Sequence, residues 1–137
     1  MKNLIFLILI SWVSSSTCVA QDAQIKFYTE YNGSEYEFNP DKPIDSKSFL
    51  MRFLKDVKYP TIARENAIQG TVVISCYVDE MGILNRAVLS KGFYRLCDEE
   101  ALRVVSANIG QRLLEPLQLE GHPVKVRFDI PIKFMLN

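Results

Sequence analysis

VKVRFDIPIKFMLN, residues 124–137, alternates without a break: Val124, Val126, Phe128, Ile130, Ile132, Phe134 and Leu136 occupy every second position. In an extended strand that period puts all seven side chains on one face. Pro131 stands in the middle of the run. Proline has no amide hydrogen to give a ladder and is tolerated inside sheets mainly at edges and bulges. Main-chain groups of alternate residues point to opposite sides of a strand, so Pro131 shares its side with Lys125, Arg127, Asp129 and Lys133. If the even-numbered residues pair inward to a strand at 71–78, the missing amide falls on an open side. The stretch therefore predicts a long strand at the edge of a sheet, its outer row guarded by Lys125, Arg127 and Lys133 against unwanted pairing.

Upstream, IKFYTEYNGSEYEF (25–38) places Asn32-Gly33 between two aromatic-rich runs, a strong hairpin signal. A two-residue turn sets Tyr31 opposite Ser34, Thr29 opposite Tyr36 and Phe27 opposite Phe38. Four aromatics then share one face, and Glu30 faces Glu35 on the other, which suggests that this second face is wet. An isolated hairpin is marginal in water, so packing on the rest of the chain is expected. Asn39-Pro40-Asp41-Lys42-Pro43 is a break. Asp45 or Ser46 can cap a short helix holding Phe49, Leu50, Phe53 and Leu54, and Pro60 suits the first turn of a second one, TIARENAI.

TVVISCYV (71–78) is rich in β-branched residues and nearly continuously apolar, as a central strand would be, and ends in the polar turn Asp79-Glu80-Met81-Gly82. The returning run ILNRAVLS changes parity, which predicts a bulge near Arg86. CDEEALRVVSANIG (97–110) fits a helix capped by Asp98, with Ala101, Leu102, Val105 and Ile109 as its buried stripe. Three acids opening a helix read as capping residues, not as a catalytic carboxylate pair. The order hairpin, helix, helix, strand, strand, helix, strand is an α+β arrangement.

The chain opens MKNLIFLILISWVSSSTCVAQ: one lysine, an apolar core from Leu4 to Val13, serines, then Cys18-Val19-Ala20. This matches a secretory signal over residues 1–20. A retained anchor and a lipid-modified Cys18 are the alternatives; the apolar run is well short of the roughly twenty residues of a spanning helix. Cleavage of 20 residues from 137 leaves 117, enough for one domain. Sixteen basic residues balance sixteen acidic ones, with no long basic run, so a nucleic-acid partner is not expected. Cys76 and Cys97 remain after cleavage, as one disulfide or as two buried thiols. With a single histidine, His122, and no C-x-x-C pair, a structural zinc site is not expected, nor any cofactor.

These residues resemble the C-terminal domain of TonB. The resemblance rests on Tyr59-Pro60, Ala63-Arg64 and Ile68-Gln69-Gly70-Thr71-Val72; on Val78-Asp79-Glu80-x-Gly82; on Asp98-Glu99-Glu100-Ala101-Leu102-Arg103-Val104-Val105; and on Gly121-x-Pro123-Val124, Phe128 and Pro131-Ile132-Lys133-Phe134. It implies three antiparallel strands under two helices over residues 46–137, with 21–45 as an added hairpin and linker. It further implies an exposed C-terminal edge strand to which an extended peptide of an outer-membrane transporter, the TonB box, adds as a further strand. Val124, Lys125, Val126, Arg127, Phe128, Asp129 and Ile130 are then the candidate docking row, with Ile68 and Gln69 as additional contacts. The partners implied are that transporter and inner-membrane proton-driven motor proteins, in the periplasm, with a homodimer through paired edges as a further option.

Two departures bear on this. The family's Trp-x-Pro-Gly element is replaced by Arg112-Leu113-Leu114-Glu115-Pro116, a loop expected to pack through Leu113, Leu114 and Leu117. Residues 21–45 reach at most about 90 Å when extended, which argues against direct force transmission across the periplasm if the signal is cleaved. The alternative function is a soluble envelope interaction or structural module that works through its aromatic hairpin. An enzyme is not expected: a thiol hydrolase would need Cys76 or Cys97 beside His122 with an orienting acid such as Asp98.

Overall fold

The computed structural model describes residues 25–40 and 44–136; the signal reading of residues 1–20, with Cys18, lies outside the described residues. Asn32 and Gly33 both take positive φ, 52° and 75°, the pair of conformations that a type I′ hairpin turn requires. The turn joins β1 (Phe27–Tyr31) to β2 (Ser34–Phe38) in the register anticipated from the sequence, Phe27 opposite Phe38 and Glu30 opposite Glu35. Helix α1 (Ser46–Leu54) starts at Asp45, whose carboxylate accepts the amides of Lys47 and Ser48. It buries the predicted stripe Phe49, Leu50, Phe53 and Leu54.

Helix α2 (Thr61–Glu65) is shorter than the TIARENAI reading. Ala67 turns left-handed at φ 54° and the Ile68 amide closes back on the Ala63 carbonyl, which steers the chain into β3 (Gly70–Val78). β4 (Leu84–Lys91) returns with two irregularities. One leaves Asn85 between the partners of Tyr77 and Val78, next to the anticipated Arg86, and a second leaves Ser90 between those of Val73 and Ile74.

Helix α3 (Arg95–Ser106) begins earlier than predicted, and Asp98 is not its cap. From inside the first turn its carboxylate reaches back to the Phe93 amide at 3.0 Å, over Gly92, where a Cβ would collide with it. The buried face shifts accordingly to Cys97, Ala101, Val104 and Val105, and Ile109, beyond the helix end, is 45% exposed. The following loop packs through Leu113, Leu114 and Leu117 and carries the short ribbon β5 (Gln118–Leu119) and β6 (His122–Pro123).

Last comes β7 (Val126–Phe134), buried at every even position and half-buried at every odd one. The main sheet is antiparallel with order β2-β1-β7-β3-β4. β3 is the central strand of the three-stranded core β7-β3-β4, which accounts for its continuous apolar character. Core side chains from β1, β3 and β7 meet those of α1 and α3 on one face, the α+β architecture of the sequence reading. Each large side chain so buried contributes about 2–3 kcal/mol.

One expectation is corrected. β7 is not the outermost strand of a three-stranded sheet: β1 lies along its first half, with Phe27 opposite Phe128 and Tyr28 opposite Arg127, and the sheet has five strands. The physical reason is Phe27. Its ring packs 5.7 Å from that of Phe128, which in turn meets Phe49 of α1 at 5.2 Å. A free hairpin would leave Phe27 in water; joined to β7, it is 3% exposed.

Candidate functional site

The candidate docking row 124–130 lies where β7 meets the hairpin, and its main-chain groups are largely accounted for. The Val124 amide donates to the Leu117 carbonyl at 3.0 Å. The Lys125 carbonyl accepts the Thr29 hydroxyl at 2.9 Å. That bond points the outward row at the hairpin, and alternation then turns the main-chain groups of Arg127, Asp129, Pro131 and Lys133 to the same side. The prolyl nitrogen thus takes nothing from the β3 ladder, in which Pro131 stands opposite Val73. Strand pairing from β1 ends at Phe128, so the outer side of Asp129–Phe134 carries no strand among the described residues.

Val126, Phe128 and Ile130 point into the core opposite Val78, Cys76 and Ile74, and serve the row only through their backbone. Lys125 is exposed. Arg127 is the hub of the helix-free face. Its guanidinium grips Glu35 (Nη2–Oε1 2.6 Å, Nε–Oε2 3.1 Å) and Asp129 (2.8 and 3.0 Å), and it lies 4.5 Å from the centre of the Tyr28 ring. Two-pronged charge-assisted bonds of this kind are stronger than neutral ones and fix orientation. Asp129 also accepts the hydroxyl of buried Ser75 at 2.7 Å, which ties the cluster to β3. The bond to Glu35 raises the pKa of Arg127, and the same bond holds the Glu35 carboxyl below its ordinary value.

A cleft of about 570 Å3 opens on this end of the sheet. It is bounded by the hairpin tip at Asn32-Gly33, by Tyr77–Glu80 and by Pro123–Arg127. Its walls mix the polar side chains of Glu30, Glu35 and Asn85 with apolar surface from Tyr28, Tyr77 and Val78.

Ile68 and Gln69 are not brought to this row. They sit at the opposite end of β7, where the Ile68 carbonyl accepts the Tyr59 hydroxyl and the Gln69 side chain accepts the Leu136 amide at 2.8 Å. Cys76 and Cys97 are both fully buried, and no disulfide joins them. Burial, and after it the charge of Asp129, pushes the Cys76 thiol up to about 12, far from a nucleophile's range. His122 is exposed on β6.

Sequence reasoning missed Tyr28, Thr29, Glu35 and Ser75. A signal for Glu35 was present: facing Glu30 across the hairpin, it needed a cation, and Arg127 has the parity to supply one.

The family model described as Gram-negative bacterial TonB protein C-terminal matches residues 55–136. Protein TonB of Vibrio cholerae is 35% identical over 81 residues, which are 58% of this chain and 32% of that protein, so the match spans about a third of the relative's length. The NMR solution structure of the Helicobacter pylori TonB C-terminal domain aligns with 24% identity and a TM-score of 0.49, over 69% of this chain and 87% of that one.

Proposed function

Because the chain belongs to the family of Gram-negative bacterial TonB protein C-terminal domains, we propose that it serves TonB-dependent transport as a periplasmic binding domain. The partner is an outer-membrane transporter, which offers an extended TonB-box peptide. The peptide joins the sheet as an added strand along Val124–Ile130, on the hairpin side of β7. The observation that carries this reading is that the outward row of β7 is competent to pair: β1 of the same chain, nearly a hundred residues upstream, joins it at Arg127 and Phe128. Backbone pairing supplies affinity in such a mode, and the side chains on either face supply selection. If the leader is retained, inner-membrane motor proteins complete the assembly; if it is removed, the domain acts as a released accessory.

The test is a titration of the protein with peptides copied from the N-terminal segments of TonB-dependent transporters, followed by amide chemical shifts. The reading expects shifts concentrated in residues 124–130, and it expects Arg127→Pro, which removes the outward amide, to abolish them. Shifts confined to other elements would refute it.

A second reading, an envelope interaction module, is favoured by one observation: β2 has no strand on its outer side among the described residues, and Tyr36 is 52% exposed there. It expects the shifts in Ser34–Phe38.

A further inference from the structure

We propose that β1 is the resident strand of the docking edge. A partner segment enters by exchange with it, setting an apolar side chain where Phe27 sits and, next to it, an aromatic or acidic side chain over Arg127. This rests on the docking reading above and adds what occupies the edge before the partner arrives and which sequence pattern can replace it.

Four features support exchange. Pairing between β1 and β7 involves two residue pairs, whereas β3 pairs with β7 along all nine residues. The hairpin also opposes itself, since Glu30 stands directly across from Glu35, and like charges so placed disfavour the strand pair. Beyond the ladder the hold is made by side chains: Phe27 against Phe128, Thr29 on the Lys125 carbonyl, and Tyr28 and Glu35 on Arg127. Finally, the Ile25 amide meets the Ser46 hydroxyl at 3.4 Å, so the hairpin is fastened at the start of α1 and can leave β7 without separating from the domain.

The ligand pattern follows from what stays behind. Phe49 and Phe128, from α1 and β7, remain as an apolar seat once Phe27 leaves. Arg127 remains beside Asp129 but loses the Tyr28 ring and the Glu35 carboxylate. Neighbouring residues of a strand face opposite sides, so the two demands fall on adjacent residues of the incoming segment. A domain whose edge is free in only about one molecule in a hundred shows an apparent affinity about a hundred times weaker than its intrinsic one. The hairpin thereby rejects segments that pair through backbone alone.

The experiment is a reversible clamp. Tyr28 and Arg127 are directly opposed, a separation a disulfide can span, and the native Cys76 and Cys97 are fully buried with no disulfide between them. In Tyr28→Cys/Arg127→Cys the oxidised protein is expected to bind a transporter-derived peptide at least about 100-fold more weakly than the same protein reduced. Equal affinity in the two states overturns exchange and leaves strand addition elsewhere on the sheet standing. In the unclamped protein, Glu35→Lys with Thr29→Val is expected to raise peptide affinity about 10-fold. No peptide binding in that variant, which keeps Arg127, overturns the docking reading and exchange with it. Independently of any peptide, β1 amides are expected to exchange hydrogen at least about 10-fold faster than those of Val72–Cys76; identical protection overturns the proposal.

Discussion

The guanidinium of Arg127 and the carboxylate of Glu35, 92 residues apart in the chain, meet in a two-pronged pair that spans from β7 to β2 over the strand between them. It joins two strands that share no ladder. The hairpin is thus held by a core ring on one face, Phe27, and by a charge clasp on the other.

The clasp makes hairpin docking sensitive to acid. The Glu35 carboxyl, ordinarily near 4.5, is depressed in the folded protein by its bond to Arg127. Its contribution is therefore complete above that ordinary value and is lost as pH falls through the depressed one, while Arg127 stays charged throughout. Hydrogen-exchange protection of β1, corrected for intrinsic rates, should hold from neutrality to about pH 5 and drop below that. Glu35→Gln should flatten the profile; because Glu35 is exposed, the change at neutral pH is at most ~1 kcal/mol.

Phe27→Ala should cost ~3–5 kcal/mol in chemical denaturation, because it opens a cavity beside Phe128. Tyr36→Ala, on the same hairpin but 52% exposed, should cost under ~0.5 kcal/mol. Equal losses would mean that the hairpin is held by something other than the Phe27 seat.

Two glycines with similar backbone angles should respond differently to alanine. Gly33 (φ 75°) has open space where a Cβ would go, so Gly33→Ala should cost only the ~1 kcal/mol of a left-handed L-residue. At Gly82 (φ 81°) a Cβ would lie 1.9 Å from the Leu114 carbonyl oxygen. Gly82→Ala must move that loop as well and should cost more than ~2 kcal/mol. Thermal melts of the two variants side by side check this.

Thiol reagents should label neither Cys76 nor Cys97 in the native protein at pH 8, since both are fully buried and the Cys76 thiol titrates at about 12. Both should react once denaturant is added. Prompt native labelling of either would contradict its placement in the core.

Local patterns carried most of the fold. Asn32-Gly33 determined the hairpin register because a two-residue turn leaves no slack, and the period of two in β7 survived Pro131 because that residue's missing donor lies off the β3 ladder. What local pattern could not convey is which strand lies beside which. The bond from Thr29 to Lys125 crosses 96 residues, and no periodicity records it, so an edge that looked vacant was in part occupied. The start of α3 was misjudged for a related reason. Asp98 satisfies a backbone donor as a cap would, but it does so from within the helix, backwards across a glycine. For the candidate site, the strand and the place of Arg127 on its outward side were legible, whereas its partners Glu35 and Tyr28 depended on a tertiary neighbour.

The two extra residues in β4, Asn85 and Ser90, bear on self-association. Bulged borders resist pairing with a neighbouring molecule, and the beginning of β4 is further covered where Leu84 exchanges bonds with Gln111 and Gly110. Among the described residues, the borders left without a strand are then the outer side of β2 and that of Asp129–Phe134, both at the hairpin end of the sheet order. Any union of copies through the sheet is thereby directed away from β4 and towards the hairpin side.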